Sequence, residues 1–237
     1  YGYASYEELN DYCLTSVKEK EMNKKYITKH FDEVKKAWEE KKPRTVSIIK
    51  MDVSDADNLT ETETKKKSNI DKALEKESFA DVAKAFSEDS NTANKNGFAG
   101  YVDSNSTSSD SSSTSTVPAD VVTAAIGLKK GETSDWITVT SSSGTSLYKV
   151  YVKETNSKKI FNAKSDTVSN QALYAILNSD SSLSYKILDS YAKKLDIKFN
   201  DKDTKKKFDS YVKDTYIIRM CCHDVDRMLW SYRNHQG

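Results

Sequence analysis

The sequence predicts an α+β protein: a small antiparallel sheet with helices against it, inserted between N- and C-terminal helical segments that form one domain. Three observations predict it. Apolar residues recur at helical spacing through residues 5–40 and again from 165 onward. Between them lie short β-rich runs, Thr45 to Met51, Trp136 to Val139 and Leu147 to Val150. Neither flanking half is long enough to bury its apolar stripe alone, so the two halves are expected to pack together.

Composition narrows the function classes. The 237 residues suit one large domain or two small ones. At 36% hydrophobic and 31% charged, the chain is polar but too apolar to be disordered throughout. Net charge is +1, which argues against binding nucleic acid or an anionic membrane by bulk charge. The lysine triplets at 65–67 and 205–207 read as solvated helix faces. No apolar run approaches the ~18 residues that read as a membrane span. The three cysteines, Cys13, Cys221 and Cys222, give no disulfide framework. The chain starts at Tyr1 rather than methionine and reads as a fragment of a longer protein, with any export signal outside it.

Taken in order, residues 5–40 read as helix, with Leu9, Tyr12, Cys13, Val17, Tyr26, Ile27, Phe31, Val34 and Trp38 on the stripe. Thr28 is expected to cap a second helix there. Pro43 ends it. The strand at 45–51 leads through a polar loop, 52–60, into a charged helix from about Glu61 to Glu77 with Ile70, Ala73 and Leu74 inward. A second amphipathic helix carries Phe79, Val82, Ala83 and Phe86. It breaks at Ser87-Glu88-Asp89-Ser90-Asn91, whose side chains compete for backbone hydrogen bonds. Gly97 and Gly100 flank Phe98, and Tyr101-Val102 starts a strand. Residues 103–116, DSNSTSSDSSSTST, hold nothing that buries usefully and read as a surface loop. A short helix with Val121, Val122, Ala124, Ala125 and Ile126 follows, then the hairpin. Helices are expected over 165–177 and 182–195, and a last one holding Phe208, Tyr211 and Val212.

Several of these pieces resemble the parvulin (PpiC-type) prolyl isomerases. They are the Phe-Ala helix into Ser-x-Asp, the Gly-x-x-Gly turn at 97–100, Leu128 to Ser134 as a Leu-x-x-Gly-Glu-x-Ser turn, and the closing hairpin with Gly144. With helices on both sides, the layout is similar to the PrsA foldases. Tyr6-Glu7-Glu8-Leu9 and residues 196–203 look like that family's ends. The resemblance implies four segments: 1–43 and 157–215 as the two parts of a helical foldase domain, 44–156 as a parvulin-like domain, and a tail, 216–237, of unclear origin. It also implies an extracellular foldase, tethered by a lipid anchor outside this chain. Its partners would be unfolded or partly folded secreted proteins. A homodimer stays open, and no cofactor or metal is expected.

The same resemblance assigns the site. Parvulins place two histidines and an aspartate or cysteine at the floor of an apolar cup. Here those positions fall at Ser47, Ser146 and Asp89. The cup residues fall at Val117 and Val121, with Phe98 beside them. A serine hydroxyl lacks the reach and the two ring nitrogens of an imidazole. The readings left open are a weak or inactive isomerase domain within a foldase, an active isomerase, and a cell-surface interaction protein that reuses the fold. Asp89 also reads as plain turn chemistry. Cys221, Cys222, His223 and Asp224 offer metal donors, but in poor chelate geometry, and His30 reads as structural.

Overall fold

Strand β1 (Arg44–Val53) has an apolar cluster on each of its faces, and its alternation of side chains decides what goes where. The computed structural model describes residues 5–107, 117–196, 198 and 201–210. Most of the Ser/Thr-rich stretch, the positions Ile197, Phe199, Tyr211 and Val212, and the 216–237 tail with its cysteines lie outside the described residues. In chain order come α1 (Tyr6–Lys29), α2 (Phe31–Glu39), β1, α3 (Glu61–Leu74), α4 (Phe79–Phe86), β2 (Phe98–Val102), α5 (Ala119–Gly127), β3 (Ile137–Ser141), β4 (Gly144–Glu154), α6 (Ser157–Phe161), α7 (Asp166–Ser179) and α8 (Leu183–Lys194). Residues 202–210 are also helical.

The sheet is antiparallel, in the order β2-β1-β4-β3. Val46 and Ile48 of β1 join Val117, Val121, Val122 and Ala125 around α5, with Tyr148, Val150 and Val152 of β4. Ile49, Met51 and Val53 point the other way. They meet Ile70 of α3, Phe79, Val82 and Ala83 of α4, and Leu147 of β4. Two clusters thus share one strand, which explains why residues 45–49 of β1 are buried without a break.

Local chemistry sets the element ends. Thr60 caps α3 in a capping box with Glu63: the Glu63 N–H donates to Thr60 Oγ1 at 3.3 Å, and the Thr60 N–H to Glu63 Oε2 at 2.7 Å. Glu63 also accepts the Ser54 N–H. That bond, with those from Thr60, pulls its carboxyl down to about 2. Ser78 caps α4. Thr28 is no cap. Its hydroxyl bonds back to the Lys24 carbonyl at 2.7 Å inside α1, which runs on to Lys29. Strand β2 starts at Phe98, three residues earlier than the sequence suggests, because Gly100 pairs with Val46 and Phe98 with Ser47 around an irregularity.

Gly97 is fixed by geometry. Its φ is +75°, and an added Cβ would stand 2.6 Å from Ala83 Cβ and 2.8 Å from the Ile48 carbonyl oxygen. Only glycine lets the turn after α4 come this close to β1.

The chain divides into two compact units, one of residues 1–34 and 176–237, the other of 35–175. In the first, α1 packs on α8, and the Tyr191 hydroxyl reaches the Met22 carbonyl at 3.4 Å. Ile27, Phe31, Ile176, Leu183 and Ile187 are buried there. The leading half of the α1 stripe is not: Tyr6, Leu9, Tyr12, Leu14, Val17 and Cys13 are exposed. The second unit holds the sheet and reaches beyond residues 44–156. On one side Trp38, fully buried, donates from Nε1 to Tyr101 Oη at 2.8 Å. On the other, Ser157 Oγ donates to Glu39 Oε1.

The Tyr101 hydroxyl in turn donates to Asp103 Oδ2 at 2.6 Å, and Asp103 Oδ1 accepts the N–H groups of Asn105 and Ser106. Asp103 is therefore a buried turn residue, although it opens a stretch that the sequence presents as having nothing to bury. Burial first, then the Asp103 charge, drives the Tyr101 pKa far up, so this hydroxyl stays a donor. Tyr101→Phe should lower unfolding free energy by about 1–3 kcal/mol, since both Trp38 and Asp103 lose a buried partner. Urea unfolding followed by tryptophan fluorescence measures it. An unchanged midpoint would mean that the chain of bonds adds nothing.

Candidate functional site

The site is built on the α5 face of the sheet. Lys50 and Asp52 of β1 stand opposite Tyr148 and Ser146 of β4, and Ile137 and Val139 of β3 continue the row. All six share one face, because paired residues in an antiparallel ladder point the same way. Beyond the end of β2, residues 87–89 run beside β1. The Glu88 N–H donates to the Lys50 carbonyl at 2.9 Å, the Lys50 N–H to Ser87 Oγ at 3.1 Å, and the Asp52 N–H to Glu88 Oε2 at 2.7 Å. That ladder carries Asp89 to the site.

Asp52 is the electrostatic centre. Its Oδ1 accepts from Ser146 Oγ at 2.7 Å and from Lys50 Nζ at 2.9 Å. Burial works against its ionisation, but the bonds from Ser146 and Lys50 and the nearby Lys50 and Lys66 charges outweigh it. The carboxyl is held below its ordinary range. The bond to Asp52 raises the Lys50 pKa above its ordinary value, with a further contribution from the Asp89 charge. Burial, then the charges of Asp89 and Asp52, raises Tyr148 against the opposing charge of Lys50. Asp89 itself is committed to its turn: Oδ1 accepts the Asn91 N–H at 3.3 Å and Oδ2 the Thr92 hydroxyl at 2.6 Å.

The residues singled out in the sequence therefore separate. Ser146 and Asp89 come to the α5 face. Ser47 does not, because it alternates with Val46 and Ile48 and lies on the α3–α4 face, paired with Phe98 and Tyr151. Phe98 is on that side too, with Lys153 Nζ 5.1 Å from its ring centre. Val117 and Val121 belong to the α5 face but are buried within its core, Val121 completely. Sequence reasoning missed Lys50, Asp52 and Tyr148. The signal was two charged residues two apart, Lys50 and Asp52, directly after the apolar pair Ile48-Ile49. Among the described residues no cluster of His, Cys, Asp and Glu is placed to hold a metal ion, and no helix is long and apolar enough to cross a membrane.

A four-stranded antiparallel sheet in the order 2-1-4-3, with helices on both faces, makes an α+β, parvulin-like fold. Residues 46–152 match the family model described as Rotamase, PPIC-type PPIASE domain. Among solved structures the chain is similar to the foldase protein PrsA of Streptococcus pneumoniae, at 25% identity over 87% of this chain and 71% of that one, with a TM-score of 0.37. It is also similar to the peptidylprolyl isomerase PrsA of Bacillus anthracis, at 23% identity over 84% and 79%, TM-score 0.33. The foldase protein PrsA of Lactococcus lactis follows at 22% identity over 88% and 69%, TM-score 0.36. No curated protein matches the chain.

The Asp52 contacts have a defined pH range. The folded pKa lies below the ordinary 3.8, so their contribution to stability is complete above that value and is lost as pH falls through the depressed one. Ser146→Ala removes one donor and should move the Asp52 titration upward, read from its carboxyl ¹³C resonance. A titration that stays where it was would show that Ser146 does not hold this carboxylate.

Proposed function

We propose that this chain is an extracellular foldase that holds unfolded or partly folded secreted proteins, with a prolyl isomerase domain of low activity. The observation that carries the low activity is the state of the assigned floor. Ser47 lies on the opposite face from Ser146, Ser146 already donates to Asp52, and each Asp89 oxygen accepts a bond within the 89–92 turn. Isomerisation needs no covalent step, but it must lower a barrier of about 18–20 kcal/mol at the peptide bond. That calls for free donors aimed at the carbonyl in a dry cup. Val117 and Val121 fill the core instead of walling such a cup.

Holding is supported by the exposed half of α1, where Tyr6 is 82%, Tyr12 57% and Val17 58% accessible. Apolar side chains left in water along one helix suit weak, sequence-tolerant contact with unfolded chains. Under this reading the anchor is a lipid outside the chain, and the clients are secreted proteins whose X-Pro bonds isomerise over tens of seconds or more. An active isomerase is the alternative, favoured by the polar row of Lys50, Asp52 and Asp89 on the α5 face.

The test pairs a proline-peptide isomerisation assay with suppression of aggregation of a denatured client, both on the full chain. The expected result is client holding at near-stoichiometric ratio and a cis/trans rate only a little above the uncatalysed one. Asp89→Ala should change neither. No suppression of aggregation would sink the foldase reading, and a fast rate abolished by Asp89→Ala would establish the active enzyme.

A further inference from the structure

The two edges of the sheet are finished differently. At one, the pairing of β2 with β1 slips at Val46/Ser47 and Gly100 stands at φ +97°, with Gln171 of α7 4.0 Å from where its Cβ would lie. An irregularity of this kind bends an edge away from any further strand. At the other, β3 pairs with β4 in unbroken register from Ile137 to Ser141. Its sequence, Ile-Thr-Val-Thr-Ser, is β-branched up to the turn and holds no charge, proline or glycine. Those are the devices that keep an exposed edge from pairing, and β3 has none of them.

Register shows which groups are open. Toward β3, β4 uses its even-numbered residues: the Val150 carbonyl accepts the Ser134 N–H at 2.9 Å, and the Val152 N–H donates to the Glu132 carbonyl at 3.0 Å. Ser146 and Tyr148 continue that side, so their partners Val139 and Ile137 spend their main-chain groups on β4. Thr138 and Thr140, both exposed, aim theirs outward, where no described residue bonds to them. Ile137 and Val139 are half-buried against the α5-side core, so an apolar layer runs out to this edge and stops there.

We propose that the outer edge of β3 takes up an extended, proline-free segment of another polypeptide as an added antiparallel strand. Alternate residues of the segment are apolar and β-branched and continue the layer of Ile137 and Val139. The residues between them are small and polar, lie beside Thr138 and Thr140, and make the main-chain bonds. A proline at a bonding position is rejected, because it has no N–H to give. The source of the segment, a partly folded client, rests on the foldase reading above. The surface is the rim of the sheet and not the face that carries Asp52 and Asp89. A second copy of this chain fits less well: a five-residue strand offers far less than the roughly 800 Å² per partner of a stable complex.

The test titrates ¹⁵N-labelled full chain, kept dilute, with a capped peptide of alternating Thr and Val that has a Lys at each end for solubility. Shifts and slowed amide exchange are expected at Thr138 and Thr140, whose N–H groups gain acceptors. In the proposed register the peptide's Thr residues make the bonds. N-methylation of its Thr nitrogens should therefore abolish binding, and N-methylation of its Val nitrogens should leave it, both on the unmutated chain. Thr140→Pro removes one outward donor and no bond to β4, and should weaken binding about three- to tenfold. Thr140→Val should bind as before. Equal binding of the two methylated peptides, full affinity in Thr140→Pro, shifts confined to α1, or no binding at millimolar peptide each overturn the inference. Protection of Thr138 and Thr140 that grows with protein concentration alone assigns the edge to a second copy and also overturns it. Suppression of client aggregation separates the two readings. Suppression without peptide binding removes the edge and leaves the foldase; peptide binding without suppression supports the edge and removes the foldase.

Discussion

The two-residue alternation of β1, with an apolar cluster on each side, is the constraint on which the rest depends. Every second residue is committed to α5 and every other one to α3 and α4, so no position can change face without turning the whole strand over. Lys50 and Asp52 are tolerated in this strand because they fall near its end, where the ladder gives way to the 87–89 segment and they can pair with each other and with Ser146. The polar row of the site is thus what remains of the α5 face where its apolar core runs out.

Close approach by the turn after α4 completes that arrangement. Gly97, pressed against Ala83 and the Ile48 carbonyl, lets the chain return along β1 after the Asp89 turn and enter β2. The Ile48 N–H donates to the Gly97 carbonyl at 2.8 Å, and the Thr92 hydroxyl is anchored by Asp89. The Asp89 side chain thus serves the turn that precedes this close approach. At the other end of β1, Arg44 performs a comparable task. Its guanidinium donates to the carbonyls of Ala125, Ile126 and Leu128 and ties off the C-terminus of α5.

The exposed leading half of α1 and the buried sheet unit show two ways to use apolar residues. In the sheet unit they close a core. On α1 the same helical spacing leaves Tyr6, Tyr12 and Val17 in water. Periodicity alone does not separate these cases, because it reports which residues share a face and not what covers it.

The sequence by itself determined the element types, the order of the parvulin-like pieces and most of the core. Helical spacing marked Ile70, Val82 and Ala83, and β-branched runs marked β1 and the hairpin. These are local signals, carried by propensity and period. Tertiary structure decided the rest. The bulge between β1 and β2 set the pairing of Ser47 with Phe98. Register across β1 and β4 put Ser47 and Ser146 on opposite faces, and burial turned Asp103 from a loop residue into an anchor. Motif matching aligns positions along the chain, but which face a strand residue serves depends on a parity that a single bulge or a one-residue shift reverses.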